Sequence, residues 1–414
     1  MNLISTENFV EAPFVIVKIG AYSFGTCSYK GAGLGGGERT LNVSFPNFIT
    51  SLNVTKISGK VNTYTLNMVY AITENDDPNM FEKVFSSVKD TREMVLTYGD
   101  WNSPANIYKE ESALITSIKS KVSLSSSKID YTISGVSNAF NLDAASYDFP
   151  ERNAKPSDII KEILYSSTYG MQKVFTGMIN KKDVNNNNLI ASDDKKVHIP
   201  AKASVSTMGY LSYLVEHMDS MSSKNDASLK DCVYQFGVVD DSTNQFGGPY
   251  FKVRKINSSA DYSTADNAWE IDVGFPGKNF VMDFDIENDE SWSILYDYQD
   301  KIPQSSYTYR IDNEGNMLVE ESPSIMRSKR TKVVNERTRT WWSQMTQFPI
   351  TATLTIKGLV RPTLIMDYVK LNVLFYGQRH ISSGVYVITK QEDSISGSGY
   401  RTKLTLLRVR EDYQ

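Results

Sequence analysis

Long apolar runs are missing from this 414-residue chain. No stretch approaches the roughly 18 apolar residues of a membrane span, so no transmembrane segment is expected. Histidine and cysteine are scarce. Three histidines (His198, His217, His380) and two cysteines (Cys27, Cys232) are scattered without zinc spacing or a disulfide framework, which suits a reducing compartment. A basic surplus is also absent. The 44 Lys and Arg against 48 Asp and Glu leave a formal charge of −4, which argues against a dedicated nucleic-acid binder. The N-terminus MNLISTENFVEAPFVIVKIG has no basic stretch followed by an apolar core, so no signal peptide is expected and the protein reads as soluble and made in a cytoplasm.

What is plentiful is aromatic. The 24 Tyr, 18 Phe and 5 Trp suit β-rich folds and subunit interfaces. The chain is too long for one ordinary core, and about two to four domains are expected. Its C-terminal run, Phe348 to Arg410, reads as four strands: Thr351–Ile356, Met366–Tyr376, Gly384–Gln391 and Arg401–Arg410. GQRHISSG and SISGSG are the joints, and Leu404, Leu406 and Val409 mark a half-buried antiparallel sheet.

Towards the N-terminus, Phe14–Ile19 is a short apolar strand. KGAGLGGGER (Lys30–Arg39) tempts a dinucleotide fingerprint, but strand-like sequence containing Pro46 follows where a phosphate-receiving helix should start. Leu52, Val54 and Ile57, then Val61, Tyr64, Leu66, Met68 and Tyr70, form two strands around a Gly59 turn. Asn79–Val88 is a helix with Asp77 as cap and Pro78 in its first turn. Met94–Tyr98, Ser112–Ser123 and Lys128–Ser134 complete a strand set, and Ser137–Arg152 is a connector. Helices are expected from about Ser157 to Ser167, capped by Ser157 or Asp158, and from Met208 to Met221. His217 on the second helix lacks a second ligand and reads as structural.

Asp183, Asn185, Asn187 and Asp194 approach a calcium-loop register, but Asn188 replaces the turn glycine and Asp194 the bidentate Glu. A polar loop is the preferred reading. From Asp231, CVYQFGVVD and FGGPYFKVRKI suggest a hairpin that could pair with the C-terminal sheet. Trp269–Phe275 and Asn279–Phe284 follow as strands, and the acidic cluster Asp285–Glu290 reads as a solvated turn. Arg327–Thr340 is basic with Glu336 its sole acid, and lacks aromatics for base stacking, so it reads as a solvated face. Trp341-Trp342 suits a packed seam. No catalytic, cofactor-binding or metal residue is singled out, no cofactor is expected, and the protein is read as a non-enzyme. Acidic residues such as Glu110-Glu111 are plentiful without forming an identifiable glycosidase pair.

Three segments carry a resemblance. YVKLNVLFYGQRHISSGVYVITKQEDSISGSGYRTKLTLLRV, with Gly399, Tyr400, Thr402, Leu404 and Leu406 in its last strand, resembles the closing barrel of baseplate hub proteins from contractile-tailed phages. The N-terminal order of strand, Asp-Pro helix, strand, Tyr-Gly-Asp loop and two strands is similar, as is Trp342 to Gly358. The resemblance extends to T-even hubs and the gp27-like part of VgrG proteins, and implies a mainly β fold with inserted helices (α+β). It further implies two tube-type antiparallel β-barrel domains and a homotrimer matching a six-fold tail tube to a three-fold central spike. Tube or tube-initiator, wedge and tape measure proteins would be the other partners, DNA would pass through, and the location would be the virion baseplate. No sequence-specific nucleic acid or membrane insertion is implied. The expected division is 1–146, first barrel; 147–228, helical accessory domain; 229–257 with 341–414, second barrel; and 258–340, an inserted β or irregular domain. The alternatives are a tail-associated cell-wall or polysaccharide hydrolase, and the hub of a bacterial contractile injection system.

Overall fold

Alternating apolar and polar residues build most of this chain into strands. The structure is a computed structural model and describes residues 9–33, 38–72, 77, 79–86, 92–101, 107–123, 125, 127–166, 168–169, 189–192, 194, 196–216, 218, 232–239, 250–257, 269–274, 280–288, 307–311, 317–321, 350–360 and 364–411. The first half contains β1 (Pro13–Ile19), β2 (Tyr22–Gly25), β3 (Tyr29–Gly33), β4 (Glu38–Leu41), β5 (Phe45–Pro46), β6 (Ile49–Ile57) and β7 (Thr63–Ala71). Helix α1 (Met80–Ser86), β8 (Glu93–Asp100), β9 (Ile107–Ser123) and β10 (Lys128–Ser137) complete it. Asp77 accepts from the Asn79 amide at 2.9 Å in the turn that leads into α1, so it lies ahead of the helix and not at its N-cap. Val15, Leu52, Leu66, Leu96 and Ile133, from five different strands, meet in one buried cluster that α1 joins through Phe81 and Val84.

A smaller centre follows: α2 (Asn141–Ala144), β11 (Ser146–Phe149), β12 (Arg152–Ala154), α3 (Pro156–Tyr165), β13 (Val197–Ile199), β14 (Lys202–Ser206), α4 (Thr207–Glu216), β15 (Cys232–Val239) and β16 (Tyr250–Asn257). Its core joins Ile160 and Leu164 of α3 to Leu211 and Leu214 of α4. The hairpin β15–β16 is a separate two-stranded sheet, not the added strands of the C-terminal sheet that its sequence suggested. Tyr234, Phe236, Val238, Phe251 and Val253 point into the central core, and burying that face there decides where the hairpin docks.

The second half contains β17 (Trp269–Val273), β18 (Val281–Asn288), β19 (Tyr307–Ile311), β20 (Met317–Glu321), β21 (Ile350–Lys357), β22 (Tyr368–Phe375), β23 (Gln378–Arg379), β24 (Gly384–Ser396) and β25 (Gly399–Glu411). Tyr376 and Gly377, both at positive φ, make the two-residue turn between β22 and β23. β24 runs through the Ser-Ile-Ser expected to be turn. The acidic Asp285 and Glu287 lie on β18 and not in a solvated turn, because they alternate with Phe284 and Ile286 and β18 pairs with β21.

The two halves repeat one strand order. In chain order, β6, β7, β8, β9 and β10 match β18, β21, β22, β24 and β25. Each set pairs antiparallel in the order first, second, fifth, fourth, third. The sixth strand differs: β1 is antiparallel to β8, whereas β17 is parallel to β22. One continuous sheet results, since residues 390–396 of β24 pair with β6. Strand pairing alone closes neither half into a ring among the described residues. The mainly β character expected from the sequence is what the chain adopts.

Candidate functional site at the seam between the halves

The seam where β6 meets β24 carries two ion pairs removed from water. Alternation along β6 sends Lys56, and not the neighbouring Ile57, to the inner face with Leu52 and Val54. Lys109 and Glu111 enter from β9, two residues apart and so on one face. Asp393 enters from β24 between Gln391 and Ile395. All four charged side chains are at most 1% exposed.

Lys56 Nζ lies 2.5 Å from Glu111 Oε1, and Lys109 Nζ lies 3.0 Å from Asp393 Oδ2, linking residues 284 apart in sequence. Tyr98 and Tyr64 donate their hydroxyls to the two Glu111 oxygens, each at 2.9 Å. Thr402 Oγ1 donates to Asp393 Oδ1 at 2.7 Å and Gln391 Nε2 to Oδ2 at 2.8 Å. The Gln391 carbonyl oxygen then accepts from the Leu364 amide at 3.0 Å. Lys109 Nζ also sits 4.6 Å from the centre of the Tyr98 ring.

Two positive and two negative charges balance, and each carboxylate oxygen has a donor. Burial raises the Glu111 carboxyl, but Lys56 and Lys109 outweigh it and hold the group below its ordinary range. Burial, followed by Glu111, pushes the Tyr98 phenol well up; burial and Asp393 do the same to Tyr400. These groups form a clamp. Both carboxylates are committed to partners on other strands, so the arrangement holds β6, β7, β8, β9, β24 and β25 in one alignment.

Of the residues singled out in sequence, Glu111 enters this network, while Glu110 pairs with Arg39 at the periphery. His380 Nδ1 lies 2.7 Å from Ser382 Oγ in a turn and also accepts from the Ser382 amide. His198 is exposed on β13, remote from His380 in the fold order. Asp194, the twelfth position of the candidate calcium loop, is buried. It accepts from the Ser157 amide at 2.8 Å and the Ser157 hydroxyl at 2.5 Å. Thus α3 is capped from 37 residues away; Lys155 holds the N-cap position and neither Ser157 nor Asp158 does. Asp183 to Asn188, His217, the 327–340 basic run and Trp341-Trp342 lie outside the described residues. The glycine-rich segment is flanked by β3 and β4 and followed by β5 and β6, so the helix of a dinucleotide fingerprint is not there.

Lys56, Lys109 and Asp393 were missed in sequence. Their signal is the period-two pattern: each has a buried residue two positions away on its strand, Val54 for Lys56, Glu111 for Lys109, and Gln391 and Ile395 for Asp393.

No family model matches the chain, and no curated protein matches its sequence. Solved structures do match. The 43 kDa tail protein of prophage MuSo2 from Shewanella oneidensis aligns over 96% of this chain and 99% of its own, with a TM-score of 0.51 at 11% identity. A tail protein from Neisseria meningitidis MC58 covers 96% and 97% with a TM-score of 0.48 at 11% identity. An Escherichia coli type VI secretion component, described as similar to the T4 tail proteins gp27 and gp5, covers 96% and 79% with a TM-score of 0.42 at 10% identity. At such identity the likeness is one of fold, and the chain has a fold of the kind found in phage tail proteins.

Proposed function

We propose that this protein is the structural hub of a contractile phage tail: three copies form a ring of six similar β units between a six-fold tail tube and a three-fold central spike. The observation that carries the reading is the repeated five-strand order, with β6 and β24 joining the two repeats into one sheet. A chain with two like units turns three-fold symmetry into near six-fold symmetry. The seam clamp fits this role, because a ring of six needs a set angle between the units of each chain.

Each unit is read as a tube-type barrel. Ile271 of β17 and Phe284 of β18, at opposite ends of the pairing order, pack in or against a single cluster with Leu354, Leu371 and Leu404. That fits a sheet curled around one core. The division proposed from these packings is 9–137, first barrel; 138–257, accessory unit; and 269–288 with 350–411, second barrel. Spike, tube, wedge and tape measure proteins are the partners this reading entails, with the virion baseplate as location and DNA passing through the ring. The same arrangement serves the hub of a bacterial contractile injection system.

Light scattering on the purified protein, alone and with its candidate spike, tests the reading. Three copies in either state are expected. A single chain in both states overturns it. Hydrolysis of cell-wall or polysaccharide substrates would favour the enzymatic alternative.

A further inference from the structure

The two repeats match residue by residue across their five shared strands, and the match leaves two strand edges without partners among the described residues. In β9 an extra residue, Thr116, bulges opposite Ser134 and Gly135, and its Oγ1 donates to the Ser134 carbonyl at 3.2 Å. In β24 the extra residue is Thr389, opposite Thr405 and Leu406, and its Oγ1 donates to the Thr405 carbonyl at 3.2 Å. This shared bulge sets the equivalences. Ser134 lies opposite Thr65, and Thr65 opposite Asn53; Thr405 lies opposite Thr353, and Thr353 opposite Asp285. Asn53 of β6 therefore corresponds to Asp285 of β18.

Within the chain, Asn53 pairs across the seam with Ser394, five residues beyond the bulge Thr389. The residue five beyond Thr116 is Lys121. Its edge has no strand on it: among the described residues 117–122 of β9 pair with β10 alone, since β8 reaches only Leu114. β18 likewise pairs with β21 alone. Side chains that would fill a seam are exposed on both edges. Leu52 and Ile395 are opposite each other and buried in the existing seam, whereas Val122, the counterpart of Ile395, is 59% exposed. Ile286, the counterpart of the buried Val54, is 41% exposed.

We propose that β18 of one copy adds antiparallel to the 117–122 edge of β9 in the next copy, placing Asp285 opposite Lys121 and Glu287 opposite Lys119. The inference rests on the ring reading above and names its interface. The register comes from the repeat alone, yet it sets two acidic residues directly opposite two basic ones. None of the four has an ion-pair partner among the described residues. On the other face it brings Phe284 against Val122 and Ile286 against Ser120. Cross-strand opposite charges stabilise a sheet and like charges oppose it, so the charge pattern selects this pairing over β9 with β9 or β18 with β18. The contact is head-to-tail, as a closed ring of copies requires.

Disulfide trapping in the full chain decides the matter. In a Cys27→Ser/Cys232→Ser background, Ser120→Cys with Ile286→Cys should oxidise to covalently linked multimers. Ser120→Cys with Asp285→Cys, on opposite faces, should not. Lys119→Glu/Lys121→Glu should weaken self-association on the order of tenfold or more. Adding Asp285→Lys/Glu287→Lys to that variant should restore it. A protein of three-copy mass that yields no 120–286 cross-link overturns this pairing and leaves the ring reading standing. A protein that stays a single chain at every concentration, with no cross-link, overturns both.

Discussion

The two halves share five strands and a threonine bulge, yet the first supplies most of the charge buried at the seam. Glu111 lies opposite Leu96 on β8, and the matching position in β24, opposite Leu371 on β22, is Gly384. Lys109 corresponds in the same way to Ser382, whose backbone carbonyl accepts the Tyr386 hydroxyl at 2.7 Å. One repeat therefore supplies three charges of the seam and the other supplies Asp393 alone. The difference teaches that equivalent strands were given unequal tasks. The shared strands build the unit, and the unshared charges align one unit with the other.

Removing one member of the clamp should break this comparison most severely. Glu111→Leu leaves Lys56 buried without its carboxylate and should cost about 3–5 kcal/mol of stability in urea unfolding. Lys56→Met/Glu111→Leu should recover most of the loss, because neither charge is then stranded. If the double variant were no better than the single one, the account of the clamp as a balanced pair would fail.

Next in size is Asp393→Ala, which strands Lys109 and leaves Thr402 and Gln391 without their acceptor. A loss of about 3 kcal/mol is expected, with β24 amides near the seam exchanging hydrogen faster than those of β10. The contrast matters because β10 belongs to the half that keeps its own network.

A backbone change should act on the second half alone. Gly274 follows β17 at φ +81°, where an added Cβ would meet the Leu374 carbonyl oxygen of β22 at 2.3 Å. Gly274→Ala combines strain with overlap and should lower stability by about 1–3 kcal/mol. That is the junction where β17 runs parallel to its neighbour, so the loss probes the strand that the halves do not share.

The pH dependence offers a test in each half. The Glu111 carboxyl is held below its ordinary value, so its contribution is complete above the unfolded carboxylate range and lost as pH falls through the lower folded value. Acid unfolding should flatten in Lys56→Met/Glu111→Leu. Burial pushes Tyr386, in the second half, up to about 12, with Arg408 opposing. Its contribution is full below the ordinary phenol value and disappears as pH rises through about 12, so Tyr386→Phe should flatten the alkaline limb instead. The smallest effect is expected at the β22–β23 turn. Tyr376 is fully exposed there, and Tyr376→Ser should change unfolding stability by less than about 0.5 kcal/mol.

Much of this fold is legible residue by residue. Thr63–Ala71 alternates and is β7; Pro156 opens a helix whose Ile160, Ile163 and Leu164 are buried; Gly399 and Tyr400 begin the last strand. Two misreadings share a cause. The charges of Asp285 and Glu287 mask the two-residue period they share with β18, and the charge of Lys56 masks its place on the face of Leu52 and Val54. A charged residue on an alternating strand does not reveal whether its face meets water or a partner.

The sequence by itself determined most of the strands and the helices α1, α3 and α4, because those depend on propensity and periodicity within a few residues. Only the tertiary structure decided that β18 joins β21, that the β15–β16 hairpin serves the central core and that Asp194 caps α3. It also decided that Lys109 finds Asp393. These choices join residues far apart in the chain, and they are set by which surfaces can be buried together with every charge balanced.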